Sequence, residues 1–142
     1  ISLTFSVENF SIKLKTSRRI QIIDISKEVE ELVAKSKIRK GICLVTAPHA
    51  TAAIVLNENE PGLLEDLVNF VEKIFPRDAE YRHNLIDSNA SSHIASSFIG
   101  SSRAIPVENG KLRKGTWQNI LFLELDGPRS EREIVVTVMG ET

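Results

Sequence analysis

Gly110-Lys-Leu-Arg-Lys-Gly115-Thr-Trp-Gln-Asn-Ile120-Leu-Phe-Leu-Glu-Leu-Asp126, entered through Ser102-Arg-Ala-Ile-Pro-Val-Glu-Asn109, is the stretch on which the fold turns. Asn109-Gly110 is a strong turn signal, because both residues tolerate positive φ at little steric cost. One short strand therefore ends there and another begins soon after, with Gly115-Thr116 as a second interruption. In the strand that follows, Leu121, Leu123 and Leu125 share one face and Ile120, Phe122, Glu124 and Asp126 the other. Two carboxylates on an otherwise apolar face would cost several kcal/mol each if left uncompensated. Water, a basic partner, a metal or a neighbouring subunit must face them, and the expectation is a subunit boundary or a shared pocket.

Working outward, Leu3–Val7 and Phe10–Lys15 alternate apolar and polar residues, as half-buried antiparallel strands do, and read as two strands or one long bent one. Ile20–Ile25 continues the pattern. Ser26 followed by Glu28, Val29, Leu32 and Val33 reads as a capped amphipathic helix. The apolar runs Ile42–Val45 and Ala50–Leu56 read as strands buried on both faces. Pro61 opens a helix carrying Leu63, Leu64, Leu67, Val68, Val71, Ile74 and Phe75, and Pro76 ends it. Ser91-Ser92 before His93–Ile99 predicts a short helix closed by Gly100. The β-branched tail Ile134–Met139 predicts a central strand. Hairpin signals without regular βαβ alternation make the class α+β: a single domain over residues 1–142 with a mixed, mostly antiparallel sheet, two main helices and one short helix.

Composition excludes several function classes. A hydrophobic fraction of 42%, a charged fraction of 26% and a net charge of -1 give no long-range pull toward nucleic acid or an anionic membrane. No apolar run reaches bilayer length and no signal-like segment opens the sequence, so the expectation is a cytoplasmic protein. The one cysteine, Cys43, lies in an apolar run and reads as a small buried side chain.

Chemistry gathers in three polar islands: Pro48-His-Ala-Thr51 running on to Asn57-Glu-Asn59, Tyr81-Arg-His83 running on to His93, and Glu124-Leu-Asp-Gly-Pro-Arg129. All three histidines, His49, His83 and His93, lie in the first two islands at the edges of predicted elements, where imidazoles serve as acid–base groups, metal ligands or hydrogen-bonded structural residues. Their spacing matches no zinc-finger pattern. Ser91 and Ser92 read either as caps or, with the free N–H groups of a helix start, as part of a phosphate site. Trp117 is a core anchor or a platform for a flat ligand. Arg129 is a solvated turn residue or a clamp for carboxylate or phosphate. There is no dinucleotide or P-loop glycine pattern and no Gly-x-Ser-x-Gly elbow.

The run Ser102-x-x-Ile105-x-Val107-x-x-Gly110-x-x-x-x-Gly115-Thr-Trp-Gln118-x-Ile120 resembles the signature of the YjbQ family, small proteins described as secondary thiamine-phosphate synthases. The resemblance extends to His49-Ala-Thr51-Ala, Asn57-Glu58-Asn59, Asp66, Tyr81-x-His83, His93-Ile94, Glu124 and Asp126-Gly-Pro-Arg129, and spans about Ile20 to Gly140. It implies a homotrimer with sheets packed about the threefold axis. It also implies a site with His49, Glu58, His83 and Asp126 as catalytic groups, and with Thr51, Ser91, Ser92, His93, Trp117, Gln118 and Arg129 binding a small phosphorylated metabolite. His49, His83 and His93 would be ligands should a divalent metal, Mg or Zn, take part. The implied reaction joins a hydroxymethylpyrimidine diphosphate to a thiazole phosphate with loss of diphosphate. Two alternatives use the same groups, a non-catalytic trimer that binds a phosphorylated metabolite and a metal-dependent phosphate-ester hydrolase. One loop departs from the family pattern. Where many members read Glu-Gly-Asn, often with an Asp before the histidine, this chain has Asp87-Ser-Asn89-Ala-Ser91-Ser-His93, with a shorter acid and one negative charge fewer. On this reading the three histidines converge near Glu58 or Asp126, and an anion settles at the helix start Ser91–His93.

Overall fold

The structure, a computed structural model, describes residues 3–142. Its strands are β1 (Phe5–Thr16), β2 (Gln21–Asp24), β3 (Lys40–Thr46), β4 (Ala52–Asn57), β5 (Ser102–Glu108), β6 (Lys111–Leu112), β7 (Asn119–Glu124) and β8 (Arg129–Glu141). Its helices are α1 (Ser26–Ser36), α2 (Pro61–Ile74) and α3 (Ala90–Ile99), and a 3-10 turn spans Arg82–Leu85. Two sheets form, a five-stranded one in the order β1-β8-β3-β5-β6 and a three-stranded one in the order β2-β7-β4. Every strand pairing described is antiparallel. The α+β class holds, and the expected mixed sheet resolves into two antiparallel ones.

The alternation along β7 explains the layering. Ile120 and Phe122 join Ile134, Val136 and Val138 of β8 and Val29 and Val33 of α1 in a core between the two sheets. Leu121, Leu123 and Leu125 point the other way, onto Leu64, Val71 and Phe75 of the α2 region and Ala95 and Ile99 of α3. Both faces of β7 are thus covered, and Ile120–Leu125 is buried throughout. The tail is central, as its β-branched run predicts: β8 lies between β1 and β3. Of the two forms expected for the first segment the structure has the single long strand, β1, with a register shift between Leu14 and Thr16.

Local signals account for most boundaries. Asn109 (φ 53°) and Gly110 (φ 75°) make the turn from β5 into β6. Pro61 begins α2, and the Glu60 carboxylate caps it by accepting from the Leu63 amide at 3.1 Å and from the Gly62 amide. Gly100 (φ 101°) closes α3. Two predicted caps are corrected. Ser26 is the first residue of α1, and its hydroxyl accepts from the Ile120 amide at 2.8 Å, tying the helix to β7. Ser91 and Ser92 lie inside α3, because the helix begins at Ala90. β3 is also more open than its apolar run suggests, since Cys43 and Val45 face the core while Ile42 on the other face is 46% exposed. No helix among the described residues is long and apolar enough to cross a membrane.

Candidate functional site

The C-terminal end of β7 pairs with the start of β4, Glu124 lying opposite Ala52, and the first turn of α3 packs beneath it. There Asp126 organises a chain of hydrogen bonds. Its Oδ2 accepts from Arg129 Nη2 at 2.8 Å and from Asn89 Nδ2 at 2.9 Å, and its carbonyl accepts from Arg129 Nε at 2.9 Å. Asn89 Oδ1 lies 2.9 Å from His83 Nε2. The His83 and His93 rings meet edge to face with centroids 4.8 Å apart. A cleft of about 490 Å³ opens over them, lined by Glu80, Tyr81, Arg82, His83, His93 and Ile94 among others. The segment carrying His83 is held locally: the Tyr81 hydroxyl donates to the Pro76 carbonyl at 2.6 Å, and Asn84 Oδ1 accepts from the Ala90 amide at 3.3 Å.

Glu124 supports this arrangement from inside. It is fully buried on the same face of β7 as Ile120 and Phe122, and Arg132 of β8, 4% exposed, meets it across the space between the sheets. Arg132 Nε lies 3.0 Å from both carboxylate oxygens, Nη2 donates to Oε2, and Thr16 Oγ1 donates to Oε1 at 2.7 Å. Arg132 Nη2 also donates to Thr51 Oγ1 at 2.9 Å. The partner that the strand's carboxylates demand is therefore an arginine of the same chain, Arg132 for Glu124 and Arg129 for Asp126, so they do not by themselves call for another subunit. Thr51, expected to bind substrate, is 6% exposed and spends its hydroxyl on Arg132.

The other expected residues divide between cleft-lining and structural positions. His93 joins His83 at the cleft, whereas His49 does not line it. The His49 Nε2 lies 3.0 Å from the amide nitrogen of Glu133 and 2.9 Å from its carbonyl oxygen, so the ring takes the place of a neighbouring strand on β8 just past the last β3 pairing, Thr46 with Val135. Ser91 and Ser92 turn inward. Ser92 Oγ donates to the Leu125 carbonyl at 2.5 Å, and the buried Ser91 Oγ has no partner among the described residues. The amides of Ser92 and His93 are taken by the Asn89 carbonyl at 3.1 and 3.3 Å, so the helix start does not offer the open set of hydroxyls and N–H groups that the sequence suggests.

Glu58, Trp117 and Gln118 occupy the opposite end of the smaller sheet. Thr51 and Glu58 flank the six residues of extended β4 and so lie about 23 Å apart at ~3.3 Å per residue. Trp117 is 71% exposed, which removes the core-anchor reading, and Gln118 Oε1 accepts from the Gly115 amide at 2.7 Å and so braces its own loop. Near Glu58, Asp24 accepts from Asn59 Nδ2 at 2.9 Å, Asn119 Nδ2 at 3.0 Å and the Ser26 amide at 2.9 Å. Burial works to raise the Asp24 carboxyl, but the bonds from Ser26, Asn59 and Asn119 together outweigh it and hold the group below its ordinary value.

Among the described residues no three His, Cys, Asp or Glu side chains are grouped to hold a metal ion. His49 is committed to β8 and the His83 Nε2 to Asn89, so the donors of one chain do not fit the three-histidine site that the resemblance implies. Two residues that the motifs pass over prove central. Asn89 lies within the departing loop and links His83 to Asp126, and Arg132 is the charged member of the otherwise apolar inward row of β8. A lone arginine entering that row is the signal that could have found it.

Residues 10–141 match the model of the family described as UPF0047 protein YjbQ-like. The chain belongs to the UPF0047 YjbQ-like family. A UPF0047 protein of Archaeoglobus fulgidus is 51% identical over 87% of this chain and 96% of its own length, and YugU of Bacillus subtilis is 37% identical over 92% and 98%. Among solved structures, a YbjQ-like protein of unknown function from Sulfolobus solfataricus superposes with a TM-score of 0.95 at 46% identity, covering 96% of this chain and 99% of its own. The family thus brings the fold with it, and the UPF0047 names carry no activity.

Proposed function

We propose that this member of the family is a cytoplasmic homotrimer that binds a small phosphorylated metabolite in the His83–His93 cleft and acts there as a weak thiamine-phosphate synthase. The observation that carries this reading is the edge-to-face imidazole pair opening on one cleft beside Arg82, with His83 fixed from behind through Asn89 and Asp126. The His93 imidazole and the Arg82 guanidinium offer donors to a diphosphate, and Glu80 on the cleft wall limits how much negative charge it accepts. In the reaction, the thiazole nitrogen lone pair forms a bond to the pyrimidine methylene carbon. The carbon–oxygen bond to diphosphate breaks, and diphosphate leaves with that electron pair. Nothing is oxidised or reduced. The chain's contribution is to hold the diphosphate and offset its growing charge.

Trimer formation is supported by the outer face of the larger sheet. Val7, Met139 and Ile42 lie side by side across three strands and are 48%, 36% and 46% exposed, next to Phe5 at 66%. A contiguous apolar sheet face of this kind marks an interaction surface.

The test is formation of thiamine phosphate from the two phosphorylated precursors, together with calorimetric titration of pyrophosphate. The expected result is turnover in the parent protein and a loss of roughly 10-fold or more in both turnover and pyrophosphate affinity in His93→Ala, the scale of one charge-assisted hydrogen bond. Pyrophosphate binding without turnover would leave a non-catalytic binding protein. Unchanged binding in a folded His93→Ala protein would remove this cleft as the site.

A further inference from the structure

Asn89 lies between two groups of fixed hydrogen-bonding character. Asp126 Oδ2, 2.9 Å from Asn89 Nδ2, also accepts from Arg129 Nη2 at 2.8 Å. A guanidinium has donors only, so this oxygen is an acceptor, and Asn89 must turn its NH2 group toward it. The amide oxygen is thereby left facing His83 Nε2 at 2.9 Å. An amide oxygen cannot donate, so the hydrogen between the two belongs to the imidazole.

We propose that Asn89 is a positioning residue that holds neutral His83 in the Nε2–H tautomer, so that the nitrogen of the ring left without a hydrogen is Nδ1. The tautomer stands on these bonds and does not rest on the reading of the cleft as the functional site. The direction of each bond is set from the far end of the chain. Arg129 fixes Asp126, Asp126 fixes the amide of Asn89, and the amide fixes the ring. Arg129 and Asp126 thereby act on His83 through Asn89.

The experiment reads the ring directly. Protein labelled with 15N in histidine is studied without ligand, above the pH range in which imidazole titrates, with the His83 signals assigned from a His83→Gln variant. The expected spectrum has His83 protonated on Nε2, with a slowly exchanging ring N–H resonance, and an unprotonated Nδ1. In Asp126→Asn the new amide offers either a donor or an acceptor, which frees Asn89 to flip. The ring N–H should then exchange faster and an Nδ1–H population should appear. Asn89→Leu should lose the slow exchange altogether, with backbone amide spectra reporting that each variant is folded. His83 protonated on Nδ1 in the parent protein would overturn the proposal, as would a ring signal unchanged in both folded variants. No ligand is present, so failure here leaves the phosphate-binding reading standing, and failure of pyrophosphate binding leaves the tautomer result intact.

Discussion

Glu124 and Arg132 meet where solvent does not reach, and the consequence is asymmetric. Removing one partner strands a buried charge, so Arg132→Met or Glu124→Gln should lower unfolding free energy by about 3–5 kcal/mol in urea titrations, whereas replacing both by apolar residues of similar volume should cost less than either alone. Cys43 shows the opposite, apolar kind of burial, which pushes its thiol up to about 12. Its reaction with a thiol reagent at pH 8 should therefore be negligible in the native protein, and labelling should follow the unfolding rate. For Asp24 the sign works from a folded-state value below the ordinary 3.8: the stabilisation is present above that ordinary value and is lost as pH falls through the lower folded one. An Asp24→Asn variant should accordingly show a weaker loss of stability on acidification below about pH 4 than the parent protein; equal acid sensitivity would count against the hydrogen bonds as the cause. Such pairings are hard to read from sequence. Glu124 and Asp126 announce that they need partners, but Arg132 and Asn89 become those partners only when β8 and α3 are in place.

At the scale of elements, periodicity located what depends on local chemistry. The α2 boundaries follow from Pro61 and Pro76, the β5–β6 turn from Asn109-Gly110, and the central position of β8 from its β-branched run. It misplaced what tertiary contact decides. Ser26, Ser91 and Ser92 look like caps, yet contact with Ile120 of β7 and with Leu125 just beyond it claims the hydroxyls of Ser26 and Ser92. The candidate site was half legible for the same reason: His83, His93, Asp126 and Arg129 converge, Glu58 and Trp117 are carried to the far end by the antiparallel run of β4 against β7, and His49 and Thr51 stay at the near end but are held by Glu133 and Arg132. A separate consequence lies at the β3–β8 pairing, where Gly41 faces Gly140. A Cβ on Gly41 would fall 1.9 Å from the Met139 carbonyl oxygen. Gly41→Ala should therefore destabilise at the upper end of the ~1–3 kcal/mol usual for overpacking, measured by thermal unfolding.

For the whole molecule, the exposed row Phe5, Val7, Met139 and Ile42 makes assembly testable. Light scattering at micromolar concentration should give a trimer mass, and Ile42→Glu should shift it toward the monomer; a monomer mass for the parent protein would remove the assembly. The central position of β8 has another consequence, for the order of events during synthesis. β1 is made first and β8 after every other strand, yet β8 is the neighbour that β1 pairs with in the larger sheet. On the ribosome β1 must wait without that neighbour, and β3, β5 and β6 can assemble only one side of the sheet. Insertion of β8 then joins both parts at once, forms the Glu124–Arg132 contact and covers Phe10, Ile12 and Leu14. A nascent chain stalled before Arg129 should remain sensitive to protease along β1, and become resistant in one step when β8 emerges.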